Sequence, residues 1–312
     1  MSEVLHDDPE QQDGDVEFDH PEPYTIGDPG RSYSEIGGGK PFPSAMPPDS
    51  VCDAFDHQGW ALRAASVRGL MHRSDGSPRQ DAYAVRYSPD KDRLVVAVCD
   101  GVGSAPESHV ASDMAANFLV DRAVDAGTLI NDDWWTEVFH DASDALAAAA
   151  RNAGASDPSP AGVRQVMATT AILAAVDNVS VAGPWTVQYA GVGDSSLWLT
   201  DVSTDEDTSW IPILGGKHTG DGIATNRTSA LPVYEKTCVQ PEQFILLEGQ
   251  LLLVCTDGVG DAFGSGMGEV AQTLRRSWMN PPTALNFAAQ VSFGRRRLLD
   301  DRTGVALWAP TR

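Results

Sequence analysis

Short apolar runs recur after residue 58, alternating or β-branched and bounded by turn residues, and such runs predict β-strands. The chain is therefore expected to contain a large amount of sheet. The predicted strands are 59–67, 82–87, 93–99, 168–176, 185–192 and 196–202, two runs within "FILLEGQLLLVCTD", and the C-terminal "TGVALWA".

Two longer segments place apolar residues about one helical turn apart, which predicts helices with one buried face. In 106–126 the apolar positions are Val110, Met114, Phe118 and Val124, and in 132–153 they are Trp135, Val138, Phe139, Ala142 and Leu146. Two more helices are predicted near 268–279 and 282–291.

The order of these elements decides the fold class. Strands, then paired helices, then more strands, without regular β-α-β alternation, predict an α+β domain with layered antiparallel sheets. The segment 203–235 is rich in Gly, Thr, Asp and Asn and is too long for an ordinary connection, so it is interpreted as a functional loop.

Charge and proline content set the N-terminal region apart. The first 50 residues contain 12 acidic and 2 basic side chains and 8 prolines, so residues 1–50 are predicted to be a disordered acidic tail and 51–312 the folded domain. The formal net charge of −22 argues against a surface that binds nucleic acid or an anionic membrane, because such surfaces need clustered Lys and Arg.

The four cysteines include no Cys-x-x-Cys pair, and they are interpreted as reduced thiols. The sequence has no apolar run of membrane-spanning length and no signal peptide, so a cytoplasmic protein is expected. A monomer is expected as well.

Carboxylates stand at the ends of several predicted strands. "VCDGVGS" and "LLLVCTDGVGDAF" both place Asp-Gly directly after an apolar run. Buried acids that lie close together repel one another unless cations lie between them, and ligands that are all oxygen favour Mg²⁺ or Mn²⁺. The acidic positions of this kind are Asp81, Asp100, Asp194, Asp257, Asp261, Asp300 and Asp301.

The ordered set "RQDAY", "VCDGVGSAPESHVAS", "MATTAILAAV", "GVGDSSLWL", "LLLVCTDGVGDAF" and "DDRTGVALW" resembles the bacterial-type PP2C (PPM) family of metal-dependent protein serine/threonine phosphatases. The resemblance covers about residues 60–309. It implies a β-sandwich of two antiparallel sheets flanked by pairs of helices, in α-β-β-α layers, with a two-metal Mn²⁺ or Mg²⁺ site at one end.

The resemblance also implies roles for individual residues. Asp100 matches the aspartate that bridges both metals, Gly101 the glycine whose carbonyl helps to hold the second, and Asp257 and Asp300 the other ligands of the first. Asp81 matches an acidic position near the second metal, preceded by Gln80 where many members have Glu. Asp194 and Asp261, with Asp257, match the positions that hold a third metal in bacterial members. Asp301 stands where the family has a locally hydrogen-bonded Asn, so Asp301→Asn is expected to be nearly neutral.

The phosphate-binding position departs from the family. Bacterial members usually carry Arg five residues before the aspartate matched by Asp81, and that position is Gly76 here. Arg73 and Arg79 are the candidates for the missing cation, because a guanidinium binds phosphate in a bidentate manner. Arg73 is favoured, as part of a flexible loop. His72 is a candidate proton donor to the leaving oxygen.

The resemblance implies hydrolysis of phosphoserine and phosphothreonine in proteins by a metal-bridged hydroxide, with no phosphoenzyme. Its expected partner is a phosphoprotein, namely a Ser/Thr kinase or its target. Two alternatives remain open. A haloacid-dehalogenase-like phosphatase would need Asp-x-Asp, but Val102 occupies the second position. A PP2C-like domain that only binds partners would be expected to lack metal ligands, whereas Asp100, Asp257 and Asp300 are all present.

Overall fold

Eleven strands form two antiparallel sheets in the computed structural model, which describes residues 24–36, 39–40, 46–127, 132–157, 159–204, 208–215, 229–233 and 238–311. From edge to edge, the first sheet contains β1 (Ser50–His57), β2 (Trp60–Val67), β11 (Arg302–Trp308), β10 (Gln250–Cys255), β7 (Ser196–Asp201) and β8 (Ile211–Leu214). The second contains β3 (Ala82–Ser88), β4 (Arg93–Cys99), β5 (Ala171–Asp177), β6 (Trp185–Val192) and β9 (Glu242–Leu246).

One helix precedes β1, and the others lie in the connections between strands. The helices are α1 (Arg31–Ile36), α2 (Leu70–Asp75), α3 (Ser108–Asp125), α4 (Asp132–Asn152), α5 (Pro160–Arg164), α6 (Asp257–Gly260), α7 (Glu269–Ser277) and α8 (Ala284–Val291), with a 3₁₀ helix at Asp261–Phe263. Among the described residues, no helix is both long and apolar enough to span a membrane.

Three apolar clusters produce the layers. Leu62, Val96 and Val305 belong to the cluster between the two sheets. A second cluster joins the second sheet to α3 and α4, and a third joins the first sheet to α7 and α8. Each sheet thus buries both faces, which explains the continuous burial along β2, β4 and β11. The predicted α-β-β-α architecture is confirmed.

The predicted strands and long helices occur within a few residues of their expected positions, but the buried face of α3 differs from the prediction. Val110, Met114 and Phe118 are only half-buried, whereas Ala115 and Leu119 are buried against the second sheet. Small residues face the sheet because they let the helix backbone approach it closely. The half-buried residues lie toward solvent and α4.

Seven elements have no counterpart in the sequence prediction, namely β1, β8, α1, α2, α5, α6 and the 3₁₀ helix. β1 is an edge strand with polar residues on a half-exposed surface, β8 has four residues and α2 has six. Such short or polar elements carry little hydrophobic periodicity. Most of the expected functional loop at 203–235 lies outside the described residues.

Part of the predicted tail is folded onto the domain. The N–H of Ile26 donates to the carbonyl of Gly294 at 3.1 Å, and the N–H of Gly294 donates to Tyr24 at 2.7 Å. Ile26 is only 3% exposed and joins the cluster between the first sheet and its helices. Residues 24–36 therefore belong to the folded part and not to the predicted tail. Tyr24 and Ile26 stand among prolines and acids, so they form no hydrophobic periodicity that the sequence could have revealed. Residues 1–23 lie outside the described residues.

Candidate active site

One end of the sandwich gathers the acids that the sequence singled out. Asp100 follows β4, Asp257 follows β10, Asp194 lies between β6 and β7, and Asp300 immediately precedes Asp301 and β11. The pairing of Cys255 with both Ser196 and Gly304 places three of these strand ends side by side in the first sheet. Antiparallel pairing thus brings together residues that are up to 200 positions apart.

The acids surround a cavity of about 180 Å³. Carboxylate oxygens of Asp100, Asp194 and Asp257 lie within 4.8 Å of one another. The remaining lining residues are Met71, His72, Gln80, Gly101, Val102, Gly103, Thr170 and Asp300.

The backbone of Asp100 is fixed by the start of β5. The carbonyl of Asp100 accepts hydrogen bonds from the N–H of Thr170 at 2.7 Å and the hydroxyl of Thr169 at 2.9 Å. The N–H of Asp100 donates to Oγ1 of Thr170 at 3.1 Å. These three bonds hold the Asp100 carboxylate at the cavity on a rigid strand end.

Gly101 is required by the close packing of its neighbours. A Cβ at this position would lie 2.7 Å from the carbonyl oxygen of Gln80 and 2.8 Å from that of Ser108, both on backbone that cannot move aside easily. Only glycine therefore lets the chain turn from β4 into the cavity here.

A buried network of hydroxyl groups lies behind the cavity. The hydroxyl of Thr256 donates to Oδ2 of Asp81 at 2.8 Å and accepts from the N–H of Thr303 at 3.1 Å. The hydroxyl of Thr303 donates to Oγ of Ser66 at 2.6 Å, and Ser66 also accepts from Arg79 at 2.6 Å. The network ties both sheets together beneath the acids and orients Asp81.

Asp301 organises the opposite wall. Its Oδ1 accepts the N–H of Gly69 at 2.6 Å and lies 3.0 Å from Nδ1 of His72, while its Oδ2 accepts the N–H of Gln80 at 2.5 Å. Asp301 is 2% exposed. It faces protein donors, whereas Asp300 lines the cavity.

The acids around the cavity repel one another when they are ionised and no cation is bound. Burial and then the charges of Asp81 and Asp257 raise the pKa of Asp100 well above its ordinary value. Burial and then Asp301 raise the pKa of Asp81 in the same way. Burial and the charges of Asp194 and Asp300 raise the pKa of Asp257 from 3.8 to about 6. Ionised acids at this density need neutralising cations.

This repulsion predicts an unusual pH dependence of stability in the metal-free protein. Asp257 keeps its proton up to about pH 6 when folded but only to about 3.8 when unfolded. The folded state therefore binds more protons in this window, and the free energy of unfolding falls as pH rises from about 4 to 6.5, by up to about 3 kcal/mol from this group. Urea unfolding in EDTA measures it, and Asp257→Asn should flatten the slope. A stability of the metal-free protein that rises through this window would contradict the assignment.

The residues fit a hard divalent cation. The donors that face the cavity are mainly carboxylate oxygens, and the buried Oε1 of Gln80 has no hydrogen-bond partner among the described residues. An unpaired buried acceptor is costly, so a cation would satisfy it. Among the described residues that line the cavity, His72 is the only imidazole, and its Nδ1 lies against Asp301.

Among the described residues near the cavity, Cys99 and Ser195 are poor candidates for a nucleophile. Cys99 is fully buried, and burial followed by the charge of Asp100 raises its pKa well above its ordinary value. The hydroxyl of Ser195 is 2.8 Å from that of Thr170 and is also buried. Burial therefore makes both side chains inaccessible and keeps the Cys99 thiol protonated.

Some predicted site residues lie elsewhere. Asp261 begins the 3₁₀ helix, is exposed, and is not among the residues lining the cavity. Asp81 is buried behind the cavity, not in its lining. Arg79 uses its guanidinium on Ser66 and on the carbonyls of Pro48 and Asp81, which favours a structural role over phosphate binding.

Arg73 lies on α2, where the sequence predicted a flexible loop, and lines a smaller cavity shared with Asp300. Gly76 ends this helix with a φ of +90° and an N–H bonded to the carbonyl of His72. An arginine at position 76 would be strained in that conformation. The helix end thus explains why the family's arginine is absent from this position.

The threonines Thr169, Thr170, Thr256 and Thr303 are the residues whose roles the sequence did not indicate. Their adjacency to the candidate acids in "CTDG" and "DDRTG" was the available signal. Nothing in one sequence shows that Thr256 bonds Asp81, which is 175 positions away.

Comparison with known families agrees with this geometry. Residues 68–285 match the profile of the family described as protein phosphatase 2C. The match covers more than two thirds of the chain and includes the whole second sheet and strands β7, β8 and β10 of the first. The chain belongs to the protein phosphatase 2C family. It is a protein serine/threonine phosphatase of this metal-dependent class. No curated protein matches the chain.

Solved structures show the same fold. The catalytic domain of the serine threonine protein phosphatase PstP, in complex with two manganese ions, is 18% identical with a TM-score of 0.54, and the alignment covers 81% of this chain and 99% of that one. RsbX in complex with magnesium is 12% identical with a TM-score of 0.51, covering 82% and 98%. The S. agalactiae serine/threonine phosphatase is 14% identical with a TM-score of 0.52, covering 83% and 99%.

Proposed function

We propose that this phosphatase removes phosphate from phosphoserine and phosphothreonine in proteins with the help of two, or with a looser site three, Mn²⁺ or Mg²⁺ ions. It acts as a monomer and opposes a Ser/Thr kinase. The observation that carries the proposal is the convergence of Asp100, Asp194 and Asp257, whose oxygens lie within 4.8 Å of one another at the cavity.

The residues that would hold the ions follow from the family resemblance and the geometry together. Asp100, Asp257 and Asp300 would hold one ion, and Asp100 with the Gly101 carbonyl and the neighbourhood of Asp81 would hold the second. Asp194 would hold a third ion with Asp257, and Asp261, exposed beside them, would join only through water.

Bound divalent ions supply Lewis-acid chemistry, lowering the pKa of water and neutralising charge on the phosphoryl oxygens. The protein supplies the positioning. Asp100 is held by Thr169 and Thr170, and Asp81 is held by Thr256. His72, paired with Asp301 at the wall, is placed to give a proton to the leaving oxygen. Burial lowers the pKa of His72, but the hydrogen bond and charge of Asp301 outweigh burial and raise it, which favours the protonated form.

Phosphate capture is assigned to Arg73. Its buried Nε has no hydrogen-bond partner among the described residues, and its cavity is shared with Asp300. We expect Arg73→Ala to raise KM for a phosphopeptide about tenfold or more without changing metal affinity, since a charge-assisted bond to phosphate is lost.

Arg79→Ala is the matched comparison. It removes a buried guanidinium that bonds Ser66 and two carbonyls, so it should lower the free energy of unfolding by about 2 kcal/mol, with little change in KM. Steady-state kinetics and urea unfolding separate the two effects. The opposite ranking of KM would assign phosphate binding to Arg79.

The function itself is tested by phosphate release from p-nitrophenyl phosphate and from a phosphothreonine peptide, with and without Mn²⁺. Activity should require the metal and disappear in EDTA. Phosphopeptide binding without phosphate release at any metal concentration would instead show a binding module that no longer catalyses.

A further inference from the structure

A groove of about 850 Å³ lies between α1 and the segment that follows Gly294. Arg31 and Ser34 of α1 form one wall, and Arg296, Arg297 and Leu299 form the other. The walls are held together by the backbone, because the N–H of Arg296 donates to the carbonyl of Asp28 at 2.7 Å.

Residues that are close together in the chain link the lining of the groove to that of the active site. Arg296 and Arg297 line the groove, Leu298 lines the small cavity of Arg73, and Asp300 lines both that cavity and the active site. On the facing wall, Tyr33 of α1 lines the Arg73 cavity two residues after Arg31. A segment that lies in the groove would therefore point toward the acids.

The charge of the groove is opposite to that of the chain. The whole chain carries −22, yet the groove has three arginines against one acid, Asp28. Asp28 compensates little, since its closest approach to Arg296 is 3.7 Å and both side chains are about two-thirds exposed. Arg31 and Arg297 form no salt bridge within the described part of the chain. This local reversal of charge leaves cations available for an anionic partner.

We propose that this groove docks the acidic residues that flank the phosphorylated side chain of a substrate protein, so that the enzyme prefers phosphosites within Asp- or Glu-rich segments. The proposal rests on the phosphatase function above and names its substrate class. Arg73 receives the phosphate, while Arg31, Arg296 and Arg297 bind the flanking carboxylates.

The test compares two phosphothreonine peptides that differ only in flanking residues, with three aspartates in one and three serines in the other. Each pair is made twice, once with the flank before the phosphosite and once with the flank after it. Exposed ion pairs are individually weak, so three of them should give about a fivefold higher kcat/KM for the acidic peptide in one of the two orientations, through KM. The preference should shrink in 0.5 M salt because these charges are screened.

The double variant Arg296→Gln/Arg297→Asn should reduce the preference to about twofold or less. Asn is suited to position 297 because the backbone there has a φ of +72°. The matched control, Arg122→Gln/Arg151→Gln, removes two exposed charges from α3 and α4 and should keep the full preference. Turnover of p-nitrophenyl phosphate should be equal in all three proteins, which also shows that each is folded.

Equal kcat/KM for acidic and neutral peptides, with Mn²⁺-dependent turnover of p-nitrophenyl phosphate intact, would overturn the docking proposal and leave the phosphatase function standing. A loss of preference in the control variant would also overturn it, since net charge and not the groove would then be responsible. A preference that emerges only after deletion of residues 1–22 would assign the groove to the chain's own acidic segment. Absence of all turnover would refute the proposed function first.

Discussion

Asp100→Asn is expected to reduce Mn²⁺-dependent phosphate release by at least about 10³-fold, because losing a shared ligand removes several kcal/mol of charge stabilisation in the transition state. The same substitution should not lower the melting temperature measured in EDTA. Burial and the neighbouring acids raise the pKa of Asp100, so its ionised form opposes folding at neutral pH and a neutral amide relieves that repulsion.

Two measurements on one sample give this result: initial rates across a Mn²⁺ titration and a thermal melt in EDTA. Asp121→Asn, an exposed acid on α3 that pairs with Arg86, is the control for loss of one negative charge and should keep its activity. Activity of Asp100→Asn within about tenfold of the parent would remove Asp100 from the metal site.

Asp300→Asn and Asp301→Asn make the same chemical change at adjacent positions. We expect the first to reduce activity and the second to reduce stability. Asp300 lines the active site, and burial and the charge of Asp301 raise its pKa, so its neutralisation should cost about 10²-fold or more in activity with no loss of stability. Asp301 accepts from Gly69 with one oxygen and from Gln80 with the other.

An asparagine at 301 has only one acceptor oxygen, so either orientation of its amide places an NH₂ against a backbone N–H. Asp301→Asn should therefore lower the free energy of unfolding by about 3 kcal/mol, since hydrogen bonds to charged groups are worth about 1.5–3 kcal/mol. The family pattern alone predicts a nearly neutral change. Urea unfolding decides between them, and a stable but inactive Asp301→Asn would exchange the roles assigned to the two acids.

The folding of residues 24–36 onto the domain could not be predicted from the sequence, because this segment has too few apolar residues to form a recognisable pattern. Composition made residues 1–50 a single acidic tail, yet Ile26 is buried and α1 supplies a wall of the basic groove. Ile26 bonds the carbonyl of Gly294 and belongs to an apolar cluster that includes α7 and α8, more than 240 positions later in the chain. The hydrophobicity of the segment itself therefore cannot predict that it packs there, because its packing surface forms only when the rest of the domain folds.

The sequence by itself determined the layered sheets and the placement of acids at strand ends. Both are local properties of the sequence. Apolar runs predict the strands, and the Asp-Gly pairs follow those runs directly in the chain. Asp100 and Asp257 were candidates for the site for that reason, and the family resemblance implied that Asp300 and not Asp301 is a metal ligand.

Only the tertiary structure decided which polar side chains serve the site and which hold it together. Arg73 and Arg79 were both candidates in the sequence, but Arg73 lines a cavity beside Asp300 and Arg79 bonds Ser66 and backbone carbonyls. The hydrogen bond of Gly69 with Asp301 spans 232 positions. Such contacts depend on which distant strands pair. The pairing sets the burial and the hydrogen-bond partners of each side chain, and these determine its charge and its orientation.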